Sequence, residues 1–384
     1  MSLKAYLFSE DVAVPVCYGT LHIASGIRVL FELPGGVLAI EFEIALSPIQ
    51  SYKFFQDYLG YRIIIADHFC DIPVAEGWIF GIAVSKTGCR ILCKGAWFRH
   101  FDNFDDTAYA LTTTSSAIIK ASLTGFVPVV SSDQTNIDET SFALDAAGTW
   151  DLSEYGLYPG DLITKLASMS NSDYLQWNYW IQSQPFNGTL PQAPIAYFEE
   201  QVNDGTYNWQ INKSDLGGDG HTQERNIEEL ANEVLVIYRD IAGGTQALTA
   251  WSTDTTSQST FWTKQIVLTG GEMVPDGATQ YRDLMLSKLK DPLLKQSFTI
   301  SSRGIRDNSG IRRPLWYPIK NGGGYLRFNN LDPNVDIFTE SVNRNSTGQI
   351  MTAEYDDTAH TLRVSLDTTD EGADALLAQI QTFL

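Results

Sequence analysis

The sequence predicts a mainly β protein with α/β inserts, and three observations carry that prediction. Residues 18–100 read as strands almost throughout, strands return after residue 297, and the span between them holds short helical patterns set in polar loops. The clearest unit is a hairpin. Runs at 78–85 and 89–95 are β-rich, and Lys86, Thr87 and Gly88 separate them as a short polar turn. In the second run Cys89, Ile91 and Cys93 share one face, while Arg90, Leu92 and Lys94 share the other. That period of two describes a sheet with one wetter side.

Before the hairpin, residues 28–33 form a strand that turns at Pro34, Gly35 and Gly36. Residues 37–46 then alternate: Leu38, Ile40, Phe42, Ile44 and Leu46 are wholly apolar and belong to a core, while Glu41 and Glu43 project from the opposite, wet face. A further strand at 62–66 and a polar loop at 67–75 lead into the hairpin. Five or six strands in about a hundred residues make a small antiparallel barrel or sandwich.

The middle of the chain changes character. Residues 102–114 are polar and irregular, a domain exit. Ser115 and Ser116 cap a short helix at 117–123 that Gly125 and Pro128 stop. Pro159, Gly160 and Asp161 open a second helix at 162–169. Strands are expected at 142–144, 207–211, 233–238, 245–251 and 261–268, loops at 182–194 and 213–222, and a helical turn at 226–232. Residues 253–260 read as a polar Ser/Thr stretch. An amphipathic helix over 278–290 places Tyr281, Leu284, Met285, Leu286 and Leu289 in one stripe and ends before Pro292. The last section predicts strands at 297–302, 315–319, 325–328, 349–355 and 361–366, then a terminal helix over 370–382 capped by Thr368 or Thr369. This organisation divides the chain at 1–102, 103–225, 226–300 and 301–384.

Composition narrows the function. With 384 residues, 43% hydrophobic and 19% charged, the chain is globular and large enough for two or three domains. Its 46 acidic against 26 basic residues give a formal charge of -20. Such a surface does not grip nucleic acid through phosphate neutralisation, although it could line a passage through which nucleic acid slides; solubility is the plainer reading. No window is apolar enough to span a membrane, and the N-terminal residues lack the pattern of a signal peptide.

Chemistry-bearing motifs are scarce. The four cysteines include no C-x-x-C pair, and Cys89 and Cys93 lie too far apart along one strand to bridge. The five histidines form no ligand spacing, so neither a metal nor another cofactor is expected. His68 and Asp71 are a chance-level pair, Gly217, Gly218 and Gly220 mark a hinge or tip, and Asp332, Asn334 and Asp336 give only half of a calcium loop. Tyr174, Trp177, Tyr179 and Trp180 make an aromatic-dense segment suited to packing or to a ligand platform. Glu41 and Glu43, about 6.6 Å apart along a strand, have the spacing of a glycosidase pair, yet any strand with a solvated face produces the same pair. No catalytic residue is assigned.

The order of these features resembles the tail-tip or baseplate hub proteins (minor tail proteins) of long-tailed bacteriophages. In the N-terminal part the likeness rests on the Pro34–Gly36 turn, the alternating strand, the loop at Asp67 and the stretch from Glu76 to Asp102 with its Gly95, Trp97 and Phe98. In the middle it rests on residues 229–238, on Ser259, Phe261 and Trp262, and on the 281–290 helix ending in Asp291 and Pro292. Towards the end it rests on 303–307, Trp316, 325–333, 353–356 and 361–364; Gly322, Gly323 and Gly324 depart from it, standing where a Gly-Asp turn is expected.

The resemblance implies two small antiparallel tube-type β-barrel domains with peripheral α+β domains. The first barrel would be 1–102, 103–225 an α+β insert, 226–300 part of the second barrel, and 301–384 a β-rich section. It implies a structural virion protein, not an enzyme, forming a trimeric ring that continues the tail tube. Its implied partners are the tail-tube or distal tail protein, the tape-measure protein and tip or fibre proteins. DNA would pass without specific binding, with no membrane anchor, the protein residing in the virion tail tip and in the host cytoplasm before assembly. Under this reading Glu41 and Glu43 face the lumen or its rim. The alternatives are a carbohydrate-binding or glycoside-cleaving protein acting on a cell envelope, and a hub of a contractile injection machine.

Overall fold

Alternation of apolar and polar residues builds the strands expected at 28–33, 37–46 and 89–95, whereas the strand Leu3–Phe8 has no counterpart among the expected ones and the expected loop at 67–75 ends early, at Pro73, where a strand begins. In a computed structural model, strands β1 (Leu3–Phe8), β2 (Cys17–Leu21), β3 (Arg28–Glu32) and β4 (Gly35–Ala45) precede helix α1 (Pro48–Asp57). Strands β5 (Arg62–Asp67), β6 (Pro73–Val84) and β7 (Gly88–Lys94) follow. The structure describes residues 3–9, 15–102, 108–110, 113–126, 130–138, 149–151, 158–168, 177–186, 190–200, 208–227, 230–291, 293–301, 304–329 and 346–367. The predicted hairpin is β6–β7, with Val84 opposite Cys89. Cys89, Ile91 and Cys93 are buried and Arg90 and Leu92 exposed, the division that the alternation implies.

Two local departures have physical causes. In β4 the register passes from Leu30–Ala39 to Phe31–Val37, leaving Leu38 as a bulge. Val37 therefore joins Ile40, Phe42 and Ile44 in one core, while Leu38 packs against another. Helix α1 interrupts the stretch expected to be all strand. It buries only Ser51 and Phe54, so it lacks the wide apolar stripe that periodicity detects.

The middle section contributes β8 (Ala108–Ala110), α2 (Ser115–Thr124), β9 (Thr149–Asp151), α3 (Pro159–Ser168), β10 (Trp177–Gln182) and β11 (Ile195–Glu200). Next come β12 (Trp209–Asn212), β13 (Leu216–Asn226), β14 (Glu233–Asp240), β15 (Gln246–Leu248) and β16 (Ser252–Thr253). Helix α4 (Thr255–Phe261), strand β17 (Gln265–Met273) and helix α5 (Pro275–Leu289) complete an α/β unit. The chain then forms β18 (Leu293–Ile300), β19 (Ile305–Asp307), β20 (Arg312–Arg313), α6 (Tyr317–Lys320), β21 (Tyr325–Asn329), β22 (Ser346–Asp356) and β23 (Thr361–Asp367).

Further expectations are corrected here. The glycine-rich stretch expected as a loop at 213–222 is mostly strand: β13 pairs with β18 through an irregularity between Leu216 and His221 that takes up the glycines. The polar stretch at 253–260 contains α4, because the Asp254 side chain accepts from the Ser257 N–H and caps it. The strand expected at 315–319 is a helical turn instead, since Pro318, which has no N–H to give a ladder, sits in the first turn of α6. The expected helical turn at 226–232 appears as no helix among its described residues. The expected strand at 142–144, Tyr174, the half calcium loop at Asp332–Asp336 and the terminal helix at 370–382 lie outside the described residues.

The fold is mostly β, and its organising feature is a run of antiparallel pairings, β6-β7-β4-β3-β22-β23-β18-β13. Strand β3 pairs with β22 from Arg28–Asp356 to Glu32–Thr352, so the first hundred residues and the C-terminal strands share one sheet. Two separate closed barrels do not form among the described residues. The N-terminal strands curl through β5, β1 and β2, but β2 reaches β4 only by the isolated Ile23–Ile44 bridge, and the sheet continues past β3.

Three apolar cores form among the described residues, two against this sheet and one within the separate sheet of β14, β15, β16 and β17. One lies beneath the long run and includes Phe42, Ile91, Phe298 and Tyr355; a second gathers Trp97, Ile118, Leu162, Tyr179 and Phe198; the third joins α5 to β14 and β17. No helix among the described residues is long and apolar enough to cross a membrane.

Candidate functional site

The eight-stranded run has a buried face and an open face, and the open face gathers the charged residues that the alternation singles out. On β3, Val29 and Phe31 point inward, which sends Arg28, Leu30 and Glu32 outward. On β4 the same logic exposes Glu43 and half-exposes Glu41. On β22 and β23, Ala353, Tyr355, Leu362 and Val364 are buried, so Glu354, Asp356 and Arg363 face out.

Register brings opposite charges together across this face. Arg28 lies opposite both Glu41 on β4 and Asp356 on β22, and its Nε donates to Asp356 Oδ2 at 3.1 Å. Arg90 lies opposite Glu43 but donates diagonally to Glu41, with Nε 2.6 Å and Nη2 2.5 Å from Oε1. Arg363 approaches Glu354 at 3.9 Å. Lys94 takes a different partner. A bulge at Phe80 in β6 turns that ring outward, and the Lys94 ammonium sits 3.8 Å from its centroid and 4.5 Å from that of Phe98.

The cations described on this face are thus all engaged, while Glu32 and Glu43 have no ion pair among the described residues. Each surface pair contributes little to stability. Together, however, they leave no free cationic row for a polyanion. Glu41 and Glu43 leave the same strand side by side on an open sheet, not across a cleft, as a glycosidase pair must be.

The other residues of chemical interest are placed by packing. Arg62 and Glu76 form a buried ion pair at 2.9 Å between β5 and β6, and Arg62 also donates to the Gln192 carbonyl at 2.7 Å. Burial pushes the Glu76 carboxyl up, against the pull of the Arg62 guanidinium and the Ser183 hydroxyl. His100 is fully buried, 2.9 Å from the Tyr179 hydroxyl, and burial lowers its pKa to about 3. Cys93 is buried and its thiol is pushed up by desolvation. Asp71 does not pair with His68 as its main partner; the Lys4 ammonium and then the Tyr6 hydroxyl hold its carboxyl below the usual range.

In the aromatic-dense segment, Trp177 stacks on Phe198 at 5.1 Å and Trp180 on Tyr197 at 4.8 Å, both across the β10–β11 pair. These rings are used in packing. Sequence reasoning missed the Arg62–Glu76 pair, because it joins two strands that look uniformly apolar. It also missed the Phe80–Lys94–Phe98 arrangement, since a bulge breaks the alternation that would place Phe80.

No protein-family model and no curated protein matches this sequence. Solved structures do match in fold. A 43 kDa tail protein of prophage MuSo2 from Shewanella oneidensis is similar with a TM-score of 0.57 at 13% identity, covering 96% of this chain and 99% of that one. A tail protein from Neisseria meningitidis MC58 is similar with a TM-score of 0.57 at 12% identity, over 97% and 99% of the two chains. The prophage tail protein gp18 from Listeria monocytogenes EGD-e gives a TM-score of 0.52 at 11% identity, over 99% of each. Over nearly its whole length, this chain has the fold of prophage tail proteins.

Proposed function

We propose that this chain is a structural protein of a phage-type tail, a hub that assembles into a ring, most simply a trimer, continuing the tail tube. The observation that supports this best is a fold shared end to end with prophage tail proteins, combined with an open eight-stranded face whose described cations are all engaged. In this reading the run from β6 to β3 is one tube-type unit and the run from β22 to β13 is the second. The β3–β22 pairing joins them into one wall. Glu41 and Glu43 then face the lumen. A wall that offers paired cations and free carboxylates lets DNA or a measuring protein move past without binding.

The partners of such a ring are the tail-tube or distal tail protein on one side, tip or fibre proteins on the other, and the tape-measure protein within. The protein works through interfaces and not through catalysis, in the virion. The carbohydrate reading gains no support from the geometry, because Glu41 is tied to Arg90 on an open face. Electron microscopy of tail particles carrying the labelled protein tests the proposal. Label at the tail tip with threefold symmetry is the expected result, and label along a sheath, on fibres alone or absent from particles would overturn it.

A further inference from the structure

We infer that Arg62 and Glu76 form a latch that holds the connection between β10 and β11 against the N-terminal strands, setting its position without adding to the stability of the fold. All six residues of β5 are buried. Ile63 and Ile65 belong to the core beneath the long run, so the opposite face of β5 is covered as well. Register sets two rows on that opposite face: Phe8, Arg62 and Trp78 in one, and Tyr6, Ile64 and Glu76 in the next. Arg62 reaches Glu76 diagonally between the rows, its Nη2 donating to Oε2 at 2.9 Å.

The connection meets these rows at both of its ends. The Ser183 hydroxyl, at its start, donates to the Glu76 carboxylate. The Gln192 carbonyl, near its end, accepts from Arg62 Nη2 at 2.7 Å. Between them Phe186 meets Tyr6 edge-on at 5.4 Å and Phe8 at 6.2 Å. The Gln192 side chain also donates to the Pro185 carbonyl at 3.0 Å, which closes the connection on itself. Yet none of the described residues from 183 to 194 belongs to any of the three apolar cores. One ion pair therefore grips both ends of a segment that no core retains.

The pair is costly where it stands. Arg62 is fully enclosed and Glu76 nearly so, and Arg62 Nε and Nη1 and Glu76 Oε1 take no partner among the described residues. Buried charges with unmet hydrogen bonds forfeit hydration that their attraction does not fully return, so such a pair fixes a geometry more than it stabilises one. The geometry fixed here is the crossing of the connection over β5 and β6. Without the Arg62 donor the Gln192 carbonyl turns to water for a partner, and the connection lifts while the cores stay packed.

Replacing both charges by apolar groups of similar size separates position from stability. Arg62→Met with Glu76→Met should unfold in urea at a midpoint equal to or above that of the unaltered chain. Arg62→Met alone should lower the midpoint or prevent folding, because it leaves a buried carboxylate unpaired. In the folded double variant, chymotrypsin cleavage after Phe186 under native conditions should quicken about tenfold, since cleavage tracks the population of the opened segment. Cleavage at an unchanged rate would remove the latch. A double variant that unfolds as early as the single one, or fails to fold, would make the pair an ordinary stabilising contact and overturn the inference.

Discussion

His100 shows how one side chain's surroundings set its chemistry. Its ring is enclosed edge-on by Trp97 at 5.4 Å and Phe126 at 4.6 Å, with the Tyr179 hydroxyl as its hydrogen-bond partner. Burial depresses its pKa from 6.5 to about 3. The unfolded chain therefore gains a proton below the ordinary histidine pKa that the folded chain refuses until about pH 3. The stabilisation is present above about pH 6.5 and is lost progressively as pH falls through that window, at about 1.4 kcal/mol per pH unit. Urea titrations at pH 7 and pH 4 should show a lower midpoint at pH 4. In His100→Gln, which keeps a polar partner for Tyr179, that acid loss should shrink by about 3 kcal/mol; an unchanged pH dependence would assign it to other groups. The sequence offers His100 only as a lone histidine beside aromatics. That it is inert follows from enclosure by residues far along the chain.

At the scale of elements, α1 and β4 show what local pattern carries and what it conceals. Ser47 accepts from the Gln50 N–H, the Gln50 side chain accepts from the Ser47 N–H, and Pro48 sits in the first turn, a capping box written plainly in four residues. A search for apolar stripes overlooks the helix because Ile49, Tyr52 and Phe55 are exposed and only Phe54 among its large side chains is buried. Ser47→Ala should destabilise the protein by about 1 kcal/mol in urea unfolding, and Gln50→Ala by less, since the latter keeps the cap on the first turn. The bulges at Leu38 and Phe80 conceal more. Each moves one residue to the other face, so Val37 enters the core that alternation assigns to its neighbours, and Phe80 leaves the sheet to meet Lys94. A bulge depends on the partner strand, and the partner is not written in the strand's own residues.

For the whole molecule, the decisive contact is β3 with β22, which joins residues more than three hundred positions apart into one wall. Its charge pattern makes a direct prediction. Glu41→Lys combined with Glu43→Lys would free Arg90 from its partner and add two cations beside it, giving the open face a cationic row. The variant should retain double-stranded DNA in a low-salt gel-shift assay and release it as salt rises, while the unaltered protein should not shift it at all. Equal mobility for both would remove the argument that this face is tuned against polyanions.

By itself the sequence determined the class of fold, the β6–β7 hairpin, the buried stripe of α5 and the solvent side on which Glu41 and Glu43 lie. Each of these rests on a period of two or of 3.6 read within one segment. Only the tertiary structure decided that the N-terminal and C-terminal strands form one continuous sheet, that Arg28 pairs with Asp356 and Arg90 with Glu41, and that Arg62 and Glu76 are buried together. The physical reason is that periodicity states which side of a strand is apolar, whereas pairing between strands is a choice among distant edges. That choice is made by the burial gained when all the apolar sides are covered at once.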